Sequence, residues 1–131
     1  MNSFLNSWSP RILSVLRIIA GFLLLWHGSQ KLFNYPASQP GGGDASGLML
    51  VAGILEFFGG ILLLVGFLTR PVAFLLSGLM AVAYFMVHAK GGFLPLVNHG
   101  ELAVIYCFVY LYFVFAGGGA WSLDRLIFKR D

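Results

Sequence analysis

Charge is what this chain has least of. Eight Lys and Arg and five Asp and Glu serve 131 residues, 10% of the whole, where a typical soluble domain carries about 25%. A water-facing surface cannot be built from so little, because 59% of the residues are apolar and 16% aromatic and a soluble fold would expose large apolar patches. The bilayer is the solvent that this composition fits. Cysteine is nearly absent too. Cys107 alone excludes an intramolecular disulfide, a CxxC redox pair and a Cys-based zinc or iron–sulfur site within one chain, and it reads as a packing residue. The net charge of +3 does not make a nucleic-acid binder, since the basic residues stand singly among apolar runs and form no stripe. No metal-ligating set is read.

What is present is a series of apolar runs parted by helix breakers. At about 20 residues per transmembrane helix, the chain has room for four spans and no soluble catalytic domain. They are read at about 12–33, 48–68, 71–89 and 101–116, which predicts one all-α membrane domain, a bundle of four transmembrane helices over 1–131. Tyr35-Pro36, Pro40 and Gly41-Gly42-Gly43 break the chain after the first run. Pro71 opens the third, and Gly91-Gly92 and Pro95 precede the fourth. Arg17 interrupts the first run and no small-residue cleavage site follows, so it reads as an uncleaved span rather than a signal peptide. The fourth run is short for a bilayer. Arg11, Arg70, Arg125, Lys129 and Arg130 lie on the side of both termini, against Lys31 and Lys90 on the other. The positive-inside rule then places both termini in the cytoplasm.

Ionisable groups at membrane depth are costly unless they pair or face a cavity, so their positions carry information. On the first span Arg17, His27 and Lys31 fall within an arc of about 80°. Glu56 on the second span has Gly53, Gly59 and Gly60 on or beside its face, which predicts an interior position and a partner in His27 or Arg17. Ser77, Ala81, Tyr84 and His88 share a face of the third span. Glu101, Ile105, Phe108 and Tyr112 share one on the fourth, expected to face inward as an aromatic wall. At about 1.5 Å per residue, His27, His88 and Glu56 gather in the outer half. A pocket is therefore expected there, formed by His27, Lys31, His88, Asn98 and Glu101 above Tyr84, Phe108 and Tyr112. Arg17, Glu56 and His27 are the candidates for a buried ion pair. The plainer readings stay beside these: Arg17 snorkelling to head groups, Lys31, Lys90 and His99 as interfacial residues, and a closed ion-pair cluster capping the bundle.

At these residues the sequence resembles the DoxX family of small four-helix membrane proteins. The resemblance runs through His27-Gly28-Ser29-Gln30-Lys31-Leu32, Glu56-Phe57-Phe58-Gly59-Gly60, Gly66-Phe67-Leu68-Thr69-Arg70, Asn98-His99-Gly100-Glu101 and Gly117-Gly118-Gly119-Ala120-Trp121-Ser122-Leu123-Asp124. It covers the chain from Arg17 to Asp124 and rests on order and spacing rather than on any single motif. The family takes its name from a subunit of an archaeal thiosulfate:quinone oxidoreductase, so the resemblance implies quinone-linked redox work in a bacterial inner membrane, with a partner oxidoreductase. It carries no catalytic set onto these positions. Vitamin K epoxide reductase chemistry needs the cysteine pair that this chain lacks.

Three functions fit the residues. In the first, a redox-associated subunit holds a quinone head group in the outer half: His27, His88 or Tyr84 donate hydrogen bonds, Glu56 and Glu101 relay protons, and Phe108 and Tyr112 line the ring or tail. A haem between His27 and His88 is the lesser cofactor reading. In the second, the chain is a membrane scaffold or assembly subunit locked by Glu56, Arg17 and His27. In the third, it is a small transporter or proton pathway, with a homo-oligomer supplying the pore.

Overall fold

A computed structural model describes residues 1–39, 43 and 45–129. Pro40, Gly41, Gly42 and Arg130, used above as loop breakers and as a charge marker, lie outside the described residues. The described chain is helical: α1 (Asn2–Phe33), α2 (Leu48–Val65), α3 (Thr69–Ala83), a one-turn α4 (Pro95–Asn98), α5 (Glu101–Ala116) and α6 (Leu123–Phe128). A π turn over Tyr84–His88 and a 3-10 turn over Ala89–Gly91 prolong α3. Three helices are long and apolar enough to cross a bilayer, with α5 a shorter apolar fourth. The protein is a four-helix membrane bundle, and most of its large exposed side chains are apolar.

Helix limits depart from the apolar runs where local chemistry decides them. α1 begins ten residues earlier than its apolar run, because Phe4, Leu5 and Trp8 continue the stripe of Ile12, Val15 and Ile19 at helical spacing. Pro10 is accommodated inside it. α2 stops at Val65 rather than at residue 68, because Gly66 takes a left-handed φ of 74° and turns its N–H back to Leu62 O at 2.9 Å. α3 starts at Thr69, so Pro71 falls in the first turn, where backbone N–H groups have no partner within the helix. α4 and α6 are too short to leave a periodic signal.

α1 packs along α2, and α3 along α5. Small residues bring the first pair together: a Cβ at Gly60 would stand 2.9 Å from Gly21 O and from Leu25 Cα, and one at Gly28 would overlap the Phe57 backbone. The second pair buries Ala73, Leu76 and Met80 with Tyr106, Tyr110 and Phe113. The pairs join through Ala20, Leu24 and Leu63, and the Tyr110 hydroxyl donates to Ala20 O at 3.3 Å. Antiparallel packing sets α6 and both terminal segments at one end of the bundle. α4 and the 34–39 loop lie at the other.

Candidate functional site

Glu56 is buried, 5% exposed, as the glycines around it require. Its partner is neither of the two residues expected. Lys31 Nζ donates to Glu56 Oε2 at 2.7 Å. Lys31 lies beside Gly53, where the absent side chain lets α1 approach until a Cβ on Gly53 would stand 2.9 Å from Lys31 Cβ. From there the lysine stem reaches one turn along α2 to the carboxylate. His27 lies within electrostatic range of both members of this pair. The expected ion pair therefore forms with a different cation, on the same face of α1.

Arg17 is in the other half of the bundle. It is 1% exposed, so it does not snorkel to head groups. Its guanidinium is consumed by carbonyl groups: Nε donates to Leu63 O at 2.8 Å, Nη2 to Trp121 O at 2.8 Å and Nη1 to Gly118 O. Geometry explains the correction to its expected partner. The backbone bends at Gly66 and at Gly117–Gly119 deliver carbonyls near Arg17, whereas Glu56 is several turns away along the bundle and already engaged. Ser14, one turn before Arg17, donates to Gly118 O at 3.0 Å and accepts from Trp121 N at 2.9 Å. Asp124 completes the knot. Its carboxylate accepts from Leu68 N at 2.7 Å and Thr69 N at 2.9 Å, capping α3 from a distant part of the chain. It also lies within electrostatic range of Arg17.

Ser14 escaped the sequence reading, and Thr69, Ser122 and Asp124 entered it only as members of the motifs that carry the resemblance, with no role assigned. One signal was available: Ser122 stands three residues before Arg125, whose N–H its hydroxyl accepts at 3.2 Å, a helix cap directly after the glycine run.

At the α4 end, Tyr84, His88 and Asn98 come together as expected, but as a clamp on the loop. Asn98 Nδ2 donates to Tyr84 Oη at 3.1 Å and to Gly92 O at 2.8 Å, and Asn98 Oδ1 accepts from Gly100 N at 2.8 Å. The Tyr84 hydroxyl donates to Phe93 O at 2.9 Å, and His88 Nδ1 stands 3.2 Å from Asn98 O. Glu101 is exposed in the first turn of α5. No hydrogen bond or ion pair joins it to His27, Lys31 or His88 among the described residues. Phe108 and Tyr112 are corrected outright. They are 64% and 58% exposed, on the outward face of α5 with Ile105, while Ala103, Tyr106, Tyr110 and Phe113 turn inward. The whole of α5 is so apolar that its periodicity does not reveal which side is inside.

A cleft of about 410 Å³ does lie in this half, shifted from the expected place. α1 lines it with Leu23, Trp26, His27 and Gln30, spaced by three, one and three residues as one helical face demands. α5 contributes Leu102 and Tyr106, and the loop contributes Pro36 and Ala37. Of the residues expected in the pocket, His27 alone lines this cleft. Tyr106 is 6% exposed and stacks on Tyr110 with centroids 5.4 Å apart. It has no hydrogen bond with any other described residue. Among the described residues the buried side-chain oxygen without a partner is Thr69 Oγ1, whereas the Tyr106 hydroxyl, though its ring is buried, stays accessible at the cleft and open to a hydrogen bond there. With His27 and Gln30 it gives the cleft three hydrogen-bonding side chains between apolar walls.

The DoxX family model matches residues 12–89, which hold Arg17, His27, Lys31, Glu56 and the Gly66–Arg70 bend. An uncharacterized protein of Haemophilus influenzae is 44% identical over 131 residues, covering 96% of this chain and 98% of its own length. The inner membrane protein YqjF of Escherichia coli is 32% identical over 121 residues, with 88% and 92% of the two chains covered. An uncharacterized membrane protein of Mycobacterium tuberculosis is 28% identical over 145 residues, with 96% and 87% covered. No solved structure matches the chain.

Proposed function

The chain belongs to the DoxX family of membrane proteins, and from that premise we propose that it is a redox-associated subunit holding a quinone head group in the cleft between α1 and α5. The observation that carries this reading is the Tyr106 hydroxyl, which tips a buried ring, has no hydrogen-bond partner among the described residues and stands at the edge of a cleft that His27 also lines. The donor set fits a quinone: Tyr106, His27 and the Gln30 amide suit carbonyl oxygens, and Trp26 and Leu23 suit a ring and its tail. When bound, the quinone supplies the capacity to accept electrons. The chain's own residues bind and orient it, and the Lys31–Glu56 pair fixes the charge beside His27. Electrons come from a partner oxidoreductase.

The setting proposed is the bacterial inner membrane, as the similarity to an inner membrane protein of Escherichia coli supports. Arg11, Arg70, Arg125 and Lys129 at the α6 end support cytoplasmic termini and, with them, a cleft in the outer half of the bilayer.

Trp26 lines the cleft, while Trp8 and Trp121 belong to the α6 end. In a Trp8→Phe, Trp121→Phe background reconstituted in lipid nanodiscs, Trp26 emission is expected to be quenched saturably by decylubiquinone, and more weakly after His27→Ala. Quenching that rises linearly without saturation, and equally in both proteins, defeats the reading.

One observation favours a scaffold role as the second reading. Arg17, Glu56 and Asp124 are each satisfied by groups within the chain, so they hold helices together without a ligand. A protein of that kind loses folded yield on Glu56→Gln and shows no saturable quenching.

A further inference from the structure

Resting on the reading of the α1–α5 cleft as a ligand site, we propose that the cleft is fed sideways from the bilayer and takes a single-chain amphiphile whose hydrogen-bonding head lies inside while its chain stays in the lipid. The sides of the cleft are closed unequally. Its deep end is shut where the Tyr110 hydroxyl meets Ala20 O, and Tyr110 is 0% exposed. Its end toward the membrane surface is bordered by Pro36 and Ala37 of the loop.

That loop is strapped down. Gln30 Nε2 donates to Ser38 O at 3.1 Å, Gln39 N donates to Asn34 Oδ1 at 3.4 Å, and the Tyr35 ring lies 6.1 Å from that of Trp26. The remaining rim is Leu23, Trp26 and Leu102, which are 46%, 36% and 49% exposed. In a membrane helix that exposure is to lipid tails. A water-soluble anion finds no charge at such a rim, and a molecule dissolved in the bilayer finds an apolar edge with a hydroxyl and an imidazole behind it. A head group that satisfies Tyr106 gains a hydrogen bond that lipid tails cannot supply.

The test is the rate and affinity of uptake in nanodiscs, read from Trp26. The probes are decylubiquinone, its chainless head ubiquinone-0, and 4-decylphenol, all expressed per mole of lipid. Leu102→Phe narrows the lipid-side rim and is expected to slow uptake of decylubiquinone severalfold, and by more than Ala37→Phe does on the loop side. Leu102→Ala widens the same rim and is expected to speed it, which guards against a Leu102→Phe protein that merely folds badly. Slowing by Ala37→Phe alone, or no change in any variant, overturns the proposal. So does ubiquinone-0 binding as tightly as decylubiquinone. Binding of 4-decylphenol without either quinone upholds lateral uptake and removes the quinone reading, and binding of no probe removes both.

Discussion

Arg17 Nε donates to the carbonyl oxygen of Leu63 at 2.8 Å, a bond between the first and second long helices made where α2 is running out of N–H donors for its last carbonyls. With two more carbonyls on Nη1 and Nη2, one side chain ties the end of α2 to the segment that follows α5. Lysine has the charge but not the planar fork. Arg17→Lys is therefore expected to lose at least one of the three bonds to carbonyls and to strain the rest, and where Trp121 O is the one left without a donor the cost is about 1–3 kcal/mol, since Leu63 O and Gly118 O keep Gly66 N and the Ser14 hydroxyl. Thermal unfolding in mild detergent should fall well below that of the wild type. An unchanged transition would mean that the fork is dispensable.

The Lys31–Glu56 pair makes a contrasting prediction. Its side chains are 17% and 7% exposed, so removing one partner strands a charge in a dry place, which costs about 3–5 kcal/mol at a buried pair. Replacing both by apolar residues of similar size is often neutral. Glu56→Gln and Lys31→Met should each lower folded yield, and Lys31→Met with Glu56→Leu should recover it. Recovery of yield without recovery of decylubiquinone binding would assign the pair a role beyond packing.

Tyr106→Phe keeps the stack on Tyr110 and removes only the hydroxyl. Stability should hold, since the hydroxyl makes no hydrogen bond to another described residue. Affinity for decylubiquinone should fall by about tenfold, the worth of one hydrogen bond at the upper end of the usual range. Equal affinity would show that the hydroxyl does not meet the ligand.

Topology is open to a labelling test. With Cys107→Ala as background, Gly43→Cys should react from outside with a thiol reagent that cannot cross the membrane, and Lys129→Cys should not. The reverse pattern would invert the bundle.

Much of the architecture was legible because lipid demands uninterrupted apolar helices, and breakers such as Gly66 and Pro95 mark their ends. The inward position of Glu56 was legible from the glycines beside it. Its partner was not, because the choice among His27, Arg17 and Lys31 depends on how far α1 slides along α2, and Gly28 and Gly53 set that by backbone contact. The inward face of α5 was hidden for another reason: Phe108 and Tyr106 are equally apolar in bulk, and only packing against Leu76 and Met80 separates them. The Arg17–Asp124 knot joins residues about a hundred positions apart through main-chain carbonyls, which leave no trace in side-chain pattern.

α5 holds 16 residues, about 24 Å of rise, against a hydrocarbon layer of about 30 Å. α3 and its continuation run for 23 residues and α1 for 32, so one flank of the protein is thinner than the rest. The annulus of lipid beside α5 is compressed to match, at a fraction of a kcal/mol per ångström. Leu102 and Tyr106 stand in that thinned sector, so acyl chains are most poorly accommodated where the cleft opens. On the proposed reading a slender guest entering there would relieve that compression, so occupancy of the cleft is expected to rise with the thickness of the host membrane.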